Sequence, residues 1–252
     1  DRSRGLGDVY KRQILLLANI HPAVTGFCPG KSVSDNARVH LGRKNVLKVD
    51  LHDFFPSIRS PRVRAAFREM GYSRSIAKVL AELCCLRCCL PQGAPTSPAL
   101  SNIIAYPMDK KMMALAGEYG LVYTRYADDL TFSGDYLPKD EVLVRIHRII
   151  REEGFTMNVK KTRFLSEHKR KIITGVSVSS GKKMTLPKVK KREIRKNVHY
   201  VLTKGLVGHQ EHIGSTDPVY LKRLLGSLCY WRSIEPDNRY VSDSITALKR
   251  LM

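Results

Sequence analysis

Tyr126-Ala127-Asp128-Asp129-Leu130 sets two carboxylates side by side between two apolar, β-branched stretches, residues 121–126 and 130–133. Flanks of that kind read as paired strands, with Ala127-Asp128-Asp129 at the tip of a β-hairpin. Adjacent acids repel, and a turn has no structural need for both. A hard divalent cation supplies the reason, because Mg²⁺ favours carboxylate oxygens together with substrate phosphates. A solvated acidic turn carries the same residues, so the pentapeptide alone leaves both readings open. A third acid narrows them. Asp50 closes the apolar run of residues 45–49 and is followed by Phe54 and Phe55. If that strand pairs with the hairpin, three carboxylates meet at one rim. Two cations about 3.5–4 Å apart there would clamp the attacking and leaving oxygens of an in-line phosphoryl transfer.

The elements around these acids must hold them. Leu90-Pro91-Gln92-Gly93-Ala94-Pro95-Thr96-Ser97-Pro98 is a stiff loop in which Gly93 lets a ligand approach the backbone. A helix capped near Ser97 is expected to run on to about residue 116. Helices are also expected over residues 14–20, 57–71, 75–89 and 140–154, with another starting near Ser34-Asp35. Residues 155–159 read as a strand, followed by Lys160 and Lys161. Residues 172–178 and 183–186 read as a hairpin about Ser179-Ser180-Gly181. Strand-acid, helices, glycine loop, acid hairpin, helix and strand make an α+β architecture, a sheet layered with helices on one face. Two other motifs carry less. Gly26 and Gly30 have three residues between them where a phosphate loop needs four, and no strand precedes them. Cys84, Cys85, Cys88 and Cys89 contain a C-x-x-C with no second pair at zinc spacing, which favours reduced cysteines packed on one helix face over a metal site.

Lys and Arg number 44 against 23 Asp and Glu, a formal net charge of +21. Such an excess points to a polyanionic partner, foremost nucleic acid. Lys188, Lys191, Arg192 and Arg195 stud one helix after Pro187, where the composition shifts to a small basic helical bundle. No apolar run spans a bilayer and no secretory core is present, so a cytoplasmic protein without membrane partners is expected. Asp8-Val9-Tyr10-Lys11-Arg12-Gln13 resembles a translated transposon adapter of the kind used in sequencing libraries. Residues 1–13 are therefore set aside as non-native, and the true N-terminus is expected to be missing.

Taken together, Asp50 with Phe54-Phe55, the 90–98 loop and Tyr126-Ala127-Asp128-Asp129 resemble the three central motifs of reverse transcriptases. The wording is nearest the bacterial retron type. Asn36-Ala37-Arg38-Val39-His40 resembles the retron N-A-x-x-H element, and Thr174-Gly175 the end of its V-T-G element, with Ile173 in place of valine. Ala94 after Gly93 departs from the P-Q-G-G usual in group II intron enzymes. The resemblance implies a right-hand polymerase palm: residues 14–44 as partial fingers, 45–186 as palm with inserted finger helices, and 187–252 as a thumb.

It also implies that Asp50, Asp128 and the Leu51 carbonyl hold two Mg²⁺ ions, with Mn²⁺ as a substitute and Asp129 less direct. Phe55 would be the gate that excludes a ribonucleotide's 2′-OH. Gln92, Gly93 and Tyr126 would line the incoming deoxynucleotide and template. Lys161, or its rival Lys160, would protonate pyrophosphate or simply bind phosphate. Lys31, Asn36 and His40, with the basic thumb residues, would meet nucleic acid. The implied partners are a structured non-coding RNA serving as template and primer, its DNA product, and an effector protein of an antiphage system. The family's triphosphate-gripping residues lie upstream, so weak or no synthesis by this chain alone is expected. Two rivals remain: another defence-associated or untemplated polymerase with the same palm, and a non-catalytic RNA-binding scaffold.

Overall fold

The computed structural model describes Leu15 and residues 18–251. The adapter-like segment 1–13 and residues 14, 16 and 17 of the helix expected over 14–20 lie outside the described residues, and residues 18–20 of that stretch are not helical. The chain divides into two compact units, residues 1–169 and 170–252. The division falls ahead of the compositional boundary at residue 187.

The first unit is built on a four-stranded antiparallel sheet in the order β2-β3-β1-β4. Its strands are β1 (Asn45–Leu51), β2 (Val122–Tyr126), β3 (Asp129–Gly134) and β4 (Met157–Leu165). Side chains alternate across a strand. Leu47, Val49 and Leu51 of β1, Tyr123 of β2, and Leu130 and Phe132 of β3 accordingly enter one apolar core. Lys48 and Asp50, with Thr124, Thr131 and Ser133, fall on the other face. The core is closed by α3 (Ser60–Glu69), α4 (Arg74–Cys84), α5 (Ser97–Ile104), α6 (Tyr106–Glu118) and α7 (Lys139–Glu152), which leaves the helices layered on the apolar face. The small helices α1 (Val33–Arg38) and α2 (Phe54–Ser57) complete the unit. Ser32 caps α1 through a reciprocal box with Asp35.

Proline decides where the expected helices start or break. The helix expected over 57–71 is the single α3, which Pro61 starts after an extended Arg59, and the short α2 ends where the expected helix begins. That expected to run from Ser97 to residue 116 divides at Ala105, since Pro107 has no N–H to donate to the preceding turn. The helix expected over 75–89 ends at Cys84. Arg87 and Cys88 adopt left-handed backbone, and Leu86 and Cys89 exchange N–H···O bonds of 2.9 and 3.2 Å around them. The cysteines therefore do not share a helix face. Cys84 is buried and its thiol is pushed up to about 11 by burial, while Cys88 is exposed.

The second unit opens with a hairpin, β5 (Ile172–Ile173) and β6 (Val176–Ser177). Its turn is Thr174-Gly175, both at positive φ, rather than 179–181 alone. The later turn is closed separately by the bridge Ser177 to Thr185. Three helices follow: α8 (Lys188–His212), broken in direction at Gly205, then α9 (Tyr220–Ile234) and α10 (Arg239–Lys249). Ile173, Val176 and Leu186 are buried, and the Leu186 N–H bonds Glu235 at 2.8 Å. That anchoring places 170–186 with the helices and not with the sheet.

Candidate active site

β1 delivers Asp50 to the rim of the sheet, where its register partner is Asp129, the first residue of β3. Alternation puts the two on the same face. The Leu51 N–H donates to the Asp128 carbonyl at 3.0 Å, which ties the end of β1 to the hairpin tip. The tip itself is the two-residue turn Ala127-Asp128. Ala127 takes φ +56°, a left-handed conformation uncommon for a residue with a Cβ.

Several groups hold that turn. Arg125 Nη1 donates to the Ala127 carbonyl and to Asn102 Oδ1, each at 3.1 Å. Asn102 Nδ2 in turn donates to the Gly26 carbonyl at 2.9 Å. A Cβ on Gly26 would stand 2.6 Å from the Ala127 nitrogen, so only glycine fits there. Arg125 is wholly buried and is met by Asp109 of α6, which also accepts from the Tyr123 hydroxyl at 2.7 Å.

Asp50 is 8% exposed. Its Oδ1 lies 3.1 Å from Lys161 Nζ, while its Oδ2 is buried with no partner. Burial raises the Asp128 carboxyl above its usual range. Its own backbone N–H opposes that rise and the nearby Asp50 charge adds to it. Asp129 is raised as well, chiefly by burial, with Lys48 opposing. Lys161 is held protonated by its hydrogen bond to Asp50. Strand alternation along β4 separates it from Lys160, which has no ion pair among the described residues.

Asp50 and Asp128 open onto a pocket of about 480 Å³ whose walls include Phe27, Phe55, Gln92 and Lys161. Among the described residues no three His, Cys, Asp or Glu side chains form a metal cage. The donors present are two carboxylates and a strand-end carbonyl. That set suits a hard cation that completes its shell with phosphate and water. The orphaned Asp50 Oδ2 fits such a role.

The structure thus brings Asp50, Leu51, Asp128, Phe55, Gln92 and Lys161 to one pocket, with Asp129 beside Asp50 on the sheet. Gly93 sits at φ +91° with open space around it, so its backbone conformation is what requires glycine. Tyr126 stands 6.2 Å, centroid to centroid, from Phe27, one of the pocket residues.

The retron-like element goes elsewhere. Asn36 is 1% exposed and accepts from the Thr25 hydroxyl at 2.9 Å. His40 is fully buried, its ring nitrogens 2.6 Å from Ser133 Oγ and 2.8 Å from Thr124 Oγ1, and burial lowers its pKa to about 3. Asn36 ties α1 to Thr25, His40 just past α1 bonds the sheet, and burial denies both to nucleic acid. Lys31 donates to the Pro22 and Val24 carbonyls at 2.8 and 2.7 Å, which occupies its ammonium within the fold.

In the second unit Lys191 pairs with Glu235 at 2.6 Å, and Arg195 lies over the rings of Trp231 and Tyr240. Lys188 and Arg192 remain exposed. Sequence reasoning missed Arg125, Asp109, Asn102 and Gly26. The available signal was a lone arginine within an apolar strand, which must find an acid if that strand is central.

A family model described as reverse transcriptase (RNA-dependent DNA polymerase) matches residues 2–200. The chain is 38% identical over 204 residues to the retron Ec86 reverse transcriptase of Escherichia coli, covering 80% of this chain and 63% of that protein. It is 35% identical over 257 residues to the retron Mx65 reverse transcriptase of Myxococcus xanthus, covering 93% and 57%. The chain therefore spans less than two thirds of the length of either relative.

Proposed function

Because this chain belongs to the reverse transcriptase family, we propose that it is the polymerase portion of a retron-type enzyme that copies RNA into DNA. The observation that carries the reading is that Asp50 and Asp128 line one pocket at the rim together with Phe55 and Lys161, while one Asp50 oxygen is buried without a partner. Asp50, Asp128 and the Leu51 carbonyl would hold divalent cations, Mg²⁺ or Mn²⁺ as substitute, with Asp129 acting through the field beside them. When bound, such ions lower the pKa of the attacking hydroxyl and neutralise charge on the leaving pyrophosphate.

The protein's own groups do the rest. The turn at Ala127 fixes where the Asp128 carboxylate stands. Phe55 occupies the place where a 2′-OH would sit and selects deoxynucleotides. Gln92 and Gly93 run beside the template and the incoming base. Lys161, kept protonated by Asp50, meets the departing phosphates. Tyr126 supports the floor of the nucleotide site, and Lys188 and Arg192 contribute to the backbone grip.

The family match supports RNA as the template; the reading adds that one structured RNA serves as template and primer and that the DNA product stays joined to it. The reading also includes an effector protein of an antiphage system as a partner. No described helix is long and apolar enough to cross a membrane.

Primer extension on an RNA template tests the proposal. This chain and a version extended to the relatives' length would be run with deoxynucleotides and ribonucleotides offered separately. Extension by deoxynucleotides alone, lost in Asp128→Ala, is expected, and Phe55→Ala should admit ribonucleotides at least about 10-fold better. RNA binding without extension by either version would overturn the reading in favour of a scaffold.

A further inference from the structure

Helices α3 and α4 enclose a groove of about 310 Å³ that shares no residue with the pocket around Asp50. Arg64 and Arg68 line it from α3, and Arg74 and Lys78 from α4, with Pro61 and Ala77 at its base. All four cations are exposed. Each helix contributes its pair at i and i+4, a spacing that sets like charges next to each other and weakens the helix that carries them.

Several cations elsewhere in this unit have acids, and among the described residues those without one, such as Lys160, do not gather four around a single groove as these do. Arg43 meets Asp135, Lys111 meets Glu152 and Glu153, Arg145 meets Glu118, and Arg148 meets Glu152. Among the described residues no ion pair includes Arg64, Arg68, Arg74 or Lys78, although Glu69 and Glu82 lie on the same two helices. Four unneutralised charges around one concavity are a standing repulsion that a counter-anion would relieve. A single small anion would satisfy two of them. A chain of regularly spaced phosphates satisfies all four.

We propose that the α3–α4 groove is a second nucleic-acid site, one that grips the phosphodiester backbone at a distance from the chemistry. It rests on the reading of the chain as an RNA-copying polymerase only for the identity of its ligand. The contacts available are ionic and directed at phosphate, so they fix the position of the strand and carry no base preference. The groove therefore serves affinity and salt dependence, and it leaves the chemical step to the Asp50 pocket.

The test is equilibrium binding of a fluorescein-labelled RNA hairpin to the full chain across a salt series. The groove variant is R64Q/R68Q/R74Q/K78Q. A control with the same loss of charge, K110Q/K139Q/R148Q/R151Q, changes cations elsewhere in the unit. The groove variant should bind at least about 10-fold more weakly, and its slope of log affinity against log salt should be shallower by about 3. The control should stay within about threefold of the parent. An unlabelled DNA hairpin should compete with the same dependence on the four residues, since phosphate carries the contact.

Equal weakening in both variants would assign the effect to bulk charge and overturn the site, as would a groove variant that binds like the parent. Circular dichroism of each variant separates lost binding from lost fold. Because the readout is binding, absence of polymerase activity in both the parent and the version extended to the relatives' length would sink the functional reading and leave this result standing.

Discussion

Arg125 and Asp109 meet through two parallel bonds, Nε to Oδ1 at 2.8 Å and Nη2 to Oδ2 at 2.7 Å, with neither side chain exposed to solvent. Desolvating two charges costs several kcal/mol per ion, so a buried pair is weak evidence of net stabilisation. Its third contact explains its presence: the same guanidinium holds the Ala127 carbonyl and so the turn that presents Asp128. Asp109→Ala should destabilise the chain by about 3–5 kcal/mol in urea, because it strands a buried cation. The double replacement R125M/D109L should recover most of that stability and still extend primers poorly. A double variant with normal extension would show that the turn does not depend on the pair.

His40 makes stability depend on pH. Its folded pKa is about 3, against about 6.5 for an unperturbed imidazole. Below pH 6.5 the unfolded chain takes a proton that the folded chain refuses. The contribution is therefore whole above pH 6.5 and is lost progressively as pH falls towards 3. Each unit of pH in that window should remove about 1.4 kcal/mol from this group alone. His40→Gln should start less stable, by about 1–3 kcal/mol for the lost bonds to Ser133 and Thr124. It should then lose less on acidification. Urea titrations at pH 6.5, 5.5 and 4.5 compare the slopes, and parallel slopes would refute the assignment.

Much of the sheet was legible from local pattern. Apolar alternation marked β1 and the two strands of the hairpin, and the acids at their ends marked the rim. What escaped depended on distant partners. Asn36 and His40 read as exposed polar residues of a motif, yet α1 folds them beneath the sheet against Thr25, Thr124 and Ser133. Arg125 read as one more cation in a basic chain, because its acid lies 16 residues away on another element. The cysteine stretch leaves the helix after Cys84, and residues 88–90 pair with residues 58–60, distant partners that no turn-forming residue at Arg87 or Cys88 announces.

Asp128 should show a trade between stability and function. Burial raises its folded carboxyl pKa, so the folded chain holds that proton more tightly than the unfolded chain. Stability is then lost as pH rises from the ordinary carboxylate range through the raised value, and the ionised group is a cost at neutral pH. Asp128→Asn should abolish DNA synthesis and, in metal-free buffer at pH 7, stabilise the chain by an amount on the order of 1 kcal/mol. The gain should shrink towards pH 4. Thermal melts at the two pH values measure it, and a destabilised variant at pH 7 would contradict the electrostatic account.

Lys161 and Lys160 give the sharpest contrast, since they differ by one position in a strand. Only Lys161 reaches Asp50, at 3.1 Å, and its raised pKa keeps it charged across the working range. A proton donor to pyrophosphate typically contributes about 10²–10⁴-fold to rate. Lys161→Gln should therefore lower kcat for single-nucleotide addition by at least about 100-fold, while Lys160→Gln stays within about threefold of the parent. A donor role also predicts that replacing Lys161 removes the alkaline limb of the pH–rate profile. If the residue only binds phosphate, KM for the nucleotide rises, kcat is kept and that limb is unchanged. Equal loss in the two variants would mean that neither position has a special relation to the carboxylates, and would remove Lys161 from the site.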